Sequence, residues 1–286
     1  MQALSPQSLR LTPPLRGRFA PLVVDSPHSG SLLPEDFHFI CSLADLRQSE
    51  DSYVDQFARH VPSSGGTFLQ ALVSRAYIDL NRALGDLHPD VCAETVPWPL
   101  VRSKRVDCGM GLIRHLVRPN VPVYAAPLSL AQIQQRIAAV YTPYYEALHS
   151  ALLHAHQQCG RILHVSIHSM PHIGFDGSPQ PDIVLGDHDG HSCARAYREW
   201  LKNFFERQGL KVVINHPYKG LELTKRFSRP RQGFHAIQLE INKGLYMDET
   251  TFALHEGKSE LQEVFDALWR ELAEWLAPSA LADAAE

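Results

Sequence analysis

Two apolar runs of this chain close in the same way: Leu22-Val23-Val24-Asp25-Ser26-Pro27-His28-Ser29-Gly30 and Ile162-Leu163-His164-Val165-Ser166-Ile167-His168-Ser169. Each brings a histidine to the end of a stretch that is short and apolar enough to be a buried strand. In an open α/β sheet the loops beyond the carboxyl ends of the strands gather around one crevice, so His28 and His168 can face a common site. Two neutral imidazoles are a natural start for a zinc centre. The chain holds 16 histidines, so a surface position, or a ring satisfied by a backbone carbonyl, is the competing reading of each.

A catalytic zinc takes three protein ligands and keeps its fourth position for water. A carboxylate is therefore wanted. Asp51 and Asp55 stand four apart in a segment expected to be helical, where both can look the same way, and Glu50 and Glu35 are further candidates. All read equally as solvated acids, and Asp51 also as a helix-start residue favoured by the helix dipole. The stretch Ser74-Arg75-Ala76-Tyr77-Ile78-Asp79-Leu80-Asn81-Arg82 sets two arginines and an asparagine around an apolar core. Guanidinium forks match carboxylates in bidentate geometry, so this is either an anchor for an acidic substrate or a strand edge paired with surface acids. Along His235-Ala236-Ile237-Gln238-Leu239-Glu240-Ile241, the two-residue strand period puts the three large apolar residues on one face and Gln238 and Glu240 on the other. A buried Glu240 is costly unless its charge is used, as a general base or in a structural ion pair. His188, Asp189, His191 and Cys193 look like a metal cluster but read better as a polar loop leading into a helix. Pro217-Tyr218-Lys219-Gly220 is a substrate-lining loop or a plain turn.

The elements that must position these groups alternate between short apolar runs and longer segments of helical period, the pattern of a sheet with helices on both faces. Strands are expected at 22–25, 67–72, 76–80, 161–168, 182–185, 211–215 and 235–241. Helices are expected at 51–60, 129–158, 191–208 and 258–276, the second broken or kinked near Pro143, where a backbone donor is missing. Residues 1–20 read as an N-terminal extension and 21–276 as a single domain with an irregular insertion at about 85–127. The alanine-rich, acidic residues 277–286 read as a frayed tail.

The 286 residues are 44 % hydrophobic and 20 % charged, enough for a sizeable core. A formal charge of −4 gives no electrostatic reason to expect nucleic acid or an anionic membrane as partner. The five cysteines are scattered and never form a Cys-x-x-Cys pair, which suits a reducing cytoplasm. No apolar run approaches the roughly 18 residues needed to span a bilayer, and the first 20 residues lack the apolar stretch of a signal peptide.

From about Pro21 to Glu249 the chain resembles the N-formylglutamate amidohydrolases, or formylglutamate deformylases, of bacterial histidine degradation. The resemblance rests on Pro27-His28-Ser29-Gly30, Val54-Asp55, Ser74-Arg75, Asp79-Leu80-Asn81-Arg82, Pro143-Tyr144 and His168-Ser169. It continues through Pro181-Asp182, Leu185-Gly186, Lys219-Gly220, the run His235 to Glu240, and Tyr246-Met247-Asp248-Glu249. It implies an α/β fold with a mixed central sheet, helices on both faces and a zinc-carboxypeptidase-like (phosphorylase/hydrolase-like) core. It also implies one Zn2+ per chain on His28 and His168, Glu240 as catalytic acid/base, and Arg75 polarising the scissile carbonyl. Asn81 and Arg82 would hold a substrate carboxylate, and Lys225 or Arg226 the second one. Related zinc enzymes place a glutamate three residues after the first histidine, where this chain has Ser31. The acidic position before Val54-Asp55 then makes Asp51 the third ligand in preference to Asp55. Ser166 stands where the family pattern usually has aspartate. The activity implied is zinc-dependent hydrolysis of N-formyl-L-glutamate. The alternatives are action on another small N-acyl amino acid, and a non-catalytic protein that binds an acidic metabolite.

Overall fold

The computed structural model of the protein describes residues 7–174 and 176–277. Apart from Ala277, the C-terminal tail therefore lies outside the described residues. Among the described residues nine strands form: β1 (Leu9–Thr12), β2 (Leu22–Ser26), β3 (Thr67–Ala71), β4 (Leu116–Arg118), β5 (Val121–Pro122), β6 (Ile162–Met170), β7 (Ile183–Gly186), β8 (Val212–Ile214) and β9 (Phe234–Asn242). Seven make one sheet in the order β1-β3-β2-β6-β9-β7-β8, and β4 and β5 make a two-stranded ribbon. β6 pairs in parallel with both β2 and β9, and β7 joins β9 antiparallel, so the sheet is mixed. Among the described residues no helix is long and apolar enough to cross a membrane.

The chain divides into two compact units. One comprises residues 11–26, 53–69 and 148–277 and contains β2, β6, β7, β8 and β9. Its core is the apolar side of these strands: Leu22, Val24, Leu163, Val165, Ile167, Ile237, Leu239 and Ile241 pack with Phe57, Phe204, Phe205, Phe265 and Trp269. Helices Arg195–Arg207 and Gly257–Leu276 supply most of that layer, and the Trp269 indole N–H donates to the Phe57 carbonyl at 2.6 Å. Leu223 and Phe227 are buried outside that core, on helix Glu222–Phe227, which packs against β6 and β9. The strand period that fills the core with every second side chain leaves the alternate residues of β6 and β9 on the other face: His164, Ser166, His168, Gln238 and Glu240.

The second unit comprises residues 7–10, 27–52 and 70–147. Helix Leu130–Arg136 opens on a capping box between Ser129 and Gln132. The helical run then continues through a π turn at Ile137–Tyr141, where the Thr142 N–H reaches back to the Ile137 carbonyl, and on into helix Thr142–Cys159. The wider turn falls just before Pro143, where an ordinary turn would lack its donor, so the break expected from the proline is a π turn.

Two expected elements take another form. The stretch 76–80 is a turn rather than a strand, because its carbonyls are claimed by side chains of the neighbouring helical run. Arg136 Nη1 donates to Tyr77 O at 2.9 Å and Tyr145 Oη to Leu80 O at 3.0 Å, and just past the stretch Tyr141 Oη donates to Arg82 O at 3.0 Å. The helix expected over 51–60 shrinks to Val54–Phe57, since Tyr53 at its start has φ 67° and separates it from Asp51. The last long helices begin at Arg195 and Gly257, and the short helices Leu43–Gln48 and Glu222–Phe227 lie in segments with too few turns to show a period.

Candidate active site

In the second unit the polar residues converge on Asp79, which is 1 % exposed. Its Oδ1 lies 2.7 Å from His28 Nε2, and its Oδ2 takes both Nε (3.1 Å) and Nη2 (2.7 Å) of Arg75. The Asn81 N–H also donates to Oδ1 at 2.9 Å, which closes the turn after residue 78 on the carboxylate. Burial works to raise the Asp79 pKa, but Arg75, then His28 and Arg82, outweigh it and hold the carboxyl well below the usual carboxylate range. An ionised carboxylate only accepts, so Asp79 fixes the proton of His28 on Nε2 and turns Nδ1 the other way. There Asp51 Oδ2 stands 3.3 Å from Nδ1, and Arg75 Nη1 lies 3.5 Å from Asp51 Oδ1.

The backbone keeps these groups in place. The Asp51 N–H donates to the His28 carbonyl at 3.0 Å, and Ser74 Oγ donates to Glu50 at 2.7 Å. Gly30 is required two residues after His28, because a Cβ there would stand 2.5 Å from both Leu72 C and Val73 O. Arg82 is 6 % exposed, and two of its nitrogens donate to main-chain carbonyls, Nε to Met110 and Nη1 to Asn81.

In the first unit the register pairs His168 with Glu240 and Ser166 with Gln238 across β6 and β9. All four are buried on the polar side of the sheet. Ser166 Oγ lies 3.2 Å from His168 Nε2, so the serine in the place of the family's usual aspartate still reaches the ring. Gln238 Nε2 donates to Glu240 Oε1 at 2.6 Å. One step further back, His164 and Asp25 form a buried pair at 2.8 Å. β2 and β6 are parallel neighbours with Asp25 opposite Ser166, and β6 presents His168 near its carboxyl end.

His28, Asp51 and His168 form a buried group of the type that can hold a metal ion, each offering one ligand atom. A model of the family described as N-formylglutamate amidohydrolase matches residues 20–247. The chain belongs to that family. Family chemistry makes it a hydrolase that acts on an amide. It is 30 % identical over 268 residues to N-formylglutamate deformylase of Pseudomonas aeruginosa, covering 91 % of this chain and 94 % of that one. The deformylase of Pseudomonas putida is 28 % identical over 236 residues, covering 80 % and 83 %. A crystal structure of N-formylglutamate amidohydrolase from Ralstonia eutropha JMP134 superposes with a TM-score of 0.91 at 36 % identity, covering 94 % of this chain and 98 % of that one.

The remaining sequence candidates lie in other surroundings. Asp55 sits on helix Val54–Phe57, beyond the Tyr53 break. Lys225 and Arg226 are exposed on helix Glu222–Phe227, with Arg226 Nη1 3.2 Å from Glu222. The polar loop at 188–193 is organised by Asp187, which is fully buried and bonded to Arg198, Asn215 and the Gly190 N–H. His188 meets Thr224, Asp189 meets Lys219, and His191 meets the His188 carbonyl, the partners of a structured loop. In the sequence only its motif, two residues before Asn81, marks Asp79.

Asp79→Asn should flatten the acid limb of stability in the metal-free chain. The unfolded chain takes up this proton near pH ~3.9, whereas the folded carboxyl holds out to lower pH. Its contribution is therefore present above about pH 4 and is lost as pH falls toward the folded value. Urea unfolding at a series of pH values from about 5 downward checks this. A variant with the parent's slope would remove Asp79 as the source.

Proposed function

We propose that this protein hydrolyses N-formyl-L-glutamate to formate and L-glutamate, with one Zn2+ held by His28, Asp51 and His168, as a cytoplasmic enzyme of histidine degradation. The observation that carries the reading is the orientation of His28. Asp79 occupies Nε2 and leaves Nδ1 facing the Asp51 carboxylate. A carboxylate behind a histidine that offers its other nitrogen is the usual support of a metal-ligating imidazole. Two imidazoles and one carboxylate suit zinc, and leave room for water in a fourth position. The names of the Pseudomonas and Ralstonia relatives supply the substrate.

A bound zinc ion supplies Lewis acidity, which polarises a carbonyl and acidifies water at neutral pH. The chain's own residues do the rest. Glu240 takes a proton from the attacking water and returns it to the departing amine as the C–N bond breaks, so that water and amide become formate and the free amino acid. Arg75, held by two bonds to Asp79, meets the negative charge that develops on the formyl oxygen. Asn81 and Arg82 orient a substrate carboxylate, and Lys225 or Arg226 meets the other.

Formyl, acetyl and peptidyl derivatives of L-glutamate, assayed side by side with the zinc-loaded protein, test the reading. Release of formate well above turnover of the larger acyl groups is expected. Preference for acetyl or peptidyl substrates would move the assignment to another acyl amino acid, and no turnover of any would favour a binding role.

A further inference from the structure

Arg114 lies in the segment that the sequence suggests is an irregular insertion. Its side chain is buried, 6 % exposed, and its Nε has no hydrogen-bond partner among the described residues. Native proteins pair their buried charges, because an uncompensated guanidinium in a low-dielectric interior is costly. Arg136, whose Nε is likewise without a partner among the described residues, shows how the same unit engages the rest of a buried guanidinium. Its Nη1 donates to Tyr77 O at 2.9 Å and meets Tyr124 Oη at 2.6 Å, and its guanidinium sits 4.0 Å from the Tyr77 ring centroid. Arg114 has no comparable set of contacts.

The backbone around Arg114 is nonetheless tightly fixed to the Asp79–Arg82 turn. The Asp79 N–H donates to Leu112 O at 2.8 Å, the Leu112 N–H to Asp86 O at 2.6 Å, and Arg82 Nε to Met110 O at 2.9 Å. Gly111 permits this approach, since a Cβ there would stand 2.4 Å from Asp86 O. The strip carries Arg114 into the field of the residues around His28. Burial, then the charge of Arg75, pulls its pKa down to about 9, with Arg82 acting the same way against Asp79 and Asp51. The charges acting on Arg114 are thus Arg75 and Arg82 on one side and Asp79 and Asp51 on the other, and Asp79 is already taken up by Arg75 and His28.

We propose that Arg114 is a substrate-binding residue that pairs with a carboxylate of the N-formyl amino acid. The inference rests on the deformylase reading of the same site. It answers a need that Arg82 meets only in part, because two of the Arg82 nitrogens are committed to main-chain carbonyls. A desolvated guanidinium whose Nε has no partner among the described residues is a cost to the folded chain that a bound carboxylate offsets.

The test compares Arg114→Met and Arg114→Lys with the parent in the zinc-loaded full chain. Substrates are N-formyl-L-glutamate and its α- and γ-mono-amides, and glutarate binding is followed by calorimetry. Arg114→Met should raise KM roughly 10- to 100-fold with little change in kcat, the size expected for loss of a hydrogen bond to a charged group. It should also lose the parent's discrimination against one mono-amide, without a lower melting temperature. Arg114→Lys should fall between the two. An unchanged KM with unchanged discrimination overturns the proposal, as does a large fall in melting temperature without a change in KM. If the parent hydrolyses none of these substrates, the deformylase reading fails by itself. Glutarate affinity then decides Arg114: weaker binding in both variants supports the role, and equal binding overturns it.

Discussion

Glu240→Gln is expected to lower the rate of formate release by about 10²–10⁴-fold, the contribution of a positioned general acid/base, with zinc content and fold unchanged. The replacement keeps shape and volume and removes the ability to hold a proton. Glu240 sits at the buried carboxyl end of β9, opposite His168 in register, with the Gln238 amide 2.6 Å from Oε1. That bond orients the carboxylate. Single-turnover and steady-state rates should fall together, because the step lost is chemistry rather than product release. A zinc-loaded Glu240→Gln protein with the parent's rate would show that the proton travels elsewhere, and would return Glu240 to the structural ion pair that the sequence alone allows.

His168→Ala is expected to abolish stoichiometric zinc binding and to lower activity by more than about 100-fold. The bound is set by comparison: removing a residue that only supports a ligand costs about 10–100-fold in metal affinity or activity, and a ligand must cost more. Asp79→Asn supplies the comparison in the same protein, since Asp79 touches His28 Nε2 and stands outside the proposed ligand set. Zinc affinity should therefore rank parent, then Asp79→Asn, then His168→Ala. Full occupancy in His168→Ala would remove His168 from the ligand set. Equal losses in the two variants would mean that Asp79 is itself a ligand.

The sheet was legible because its signal is local. The apolar alternation of β6 and β9 placed Ile237, Leu239 and Ile241 in the core, and Gln238 and Glu240 on the opposite face, from period alone. The turn at Ala76–Leu80 was not legible. Its residues have strand composition, and what bends them is Arg136, Tyr141 and Tyr145, about sixty positions along the chain. The break between Asp51 and Val54 was hidden for a related reason: Tyr53 adopts φ 67°, and no glycine or asparagine announces it. The pairing of Asp79 with His28 spans 51 positions and could be reached only through the motif that contains Asp79. Arg114 gave no signal, since its neighbours have no period and its significance lies in the partners its side chain lacks.

The most direct measurement is formate release from N-formyl-L-glutamate by chelator-stripped protein during titration with Zn2+. Negligible release from the stripped protein, a rise with added zinc and a plateau at one equivalent per chain are expected. A stripped protein that releases formate at the full rate, or a fully loaded one that releases none, would contradict zinc-dependent hydrolysis.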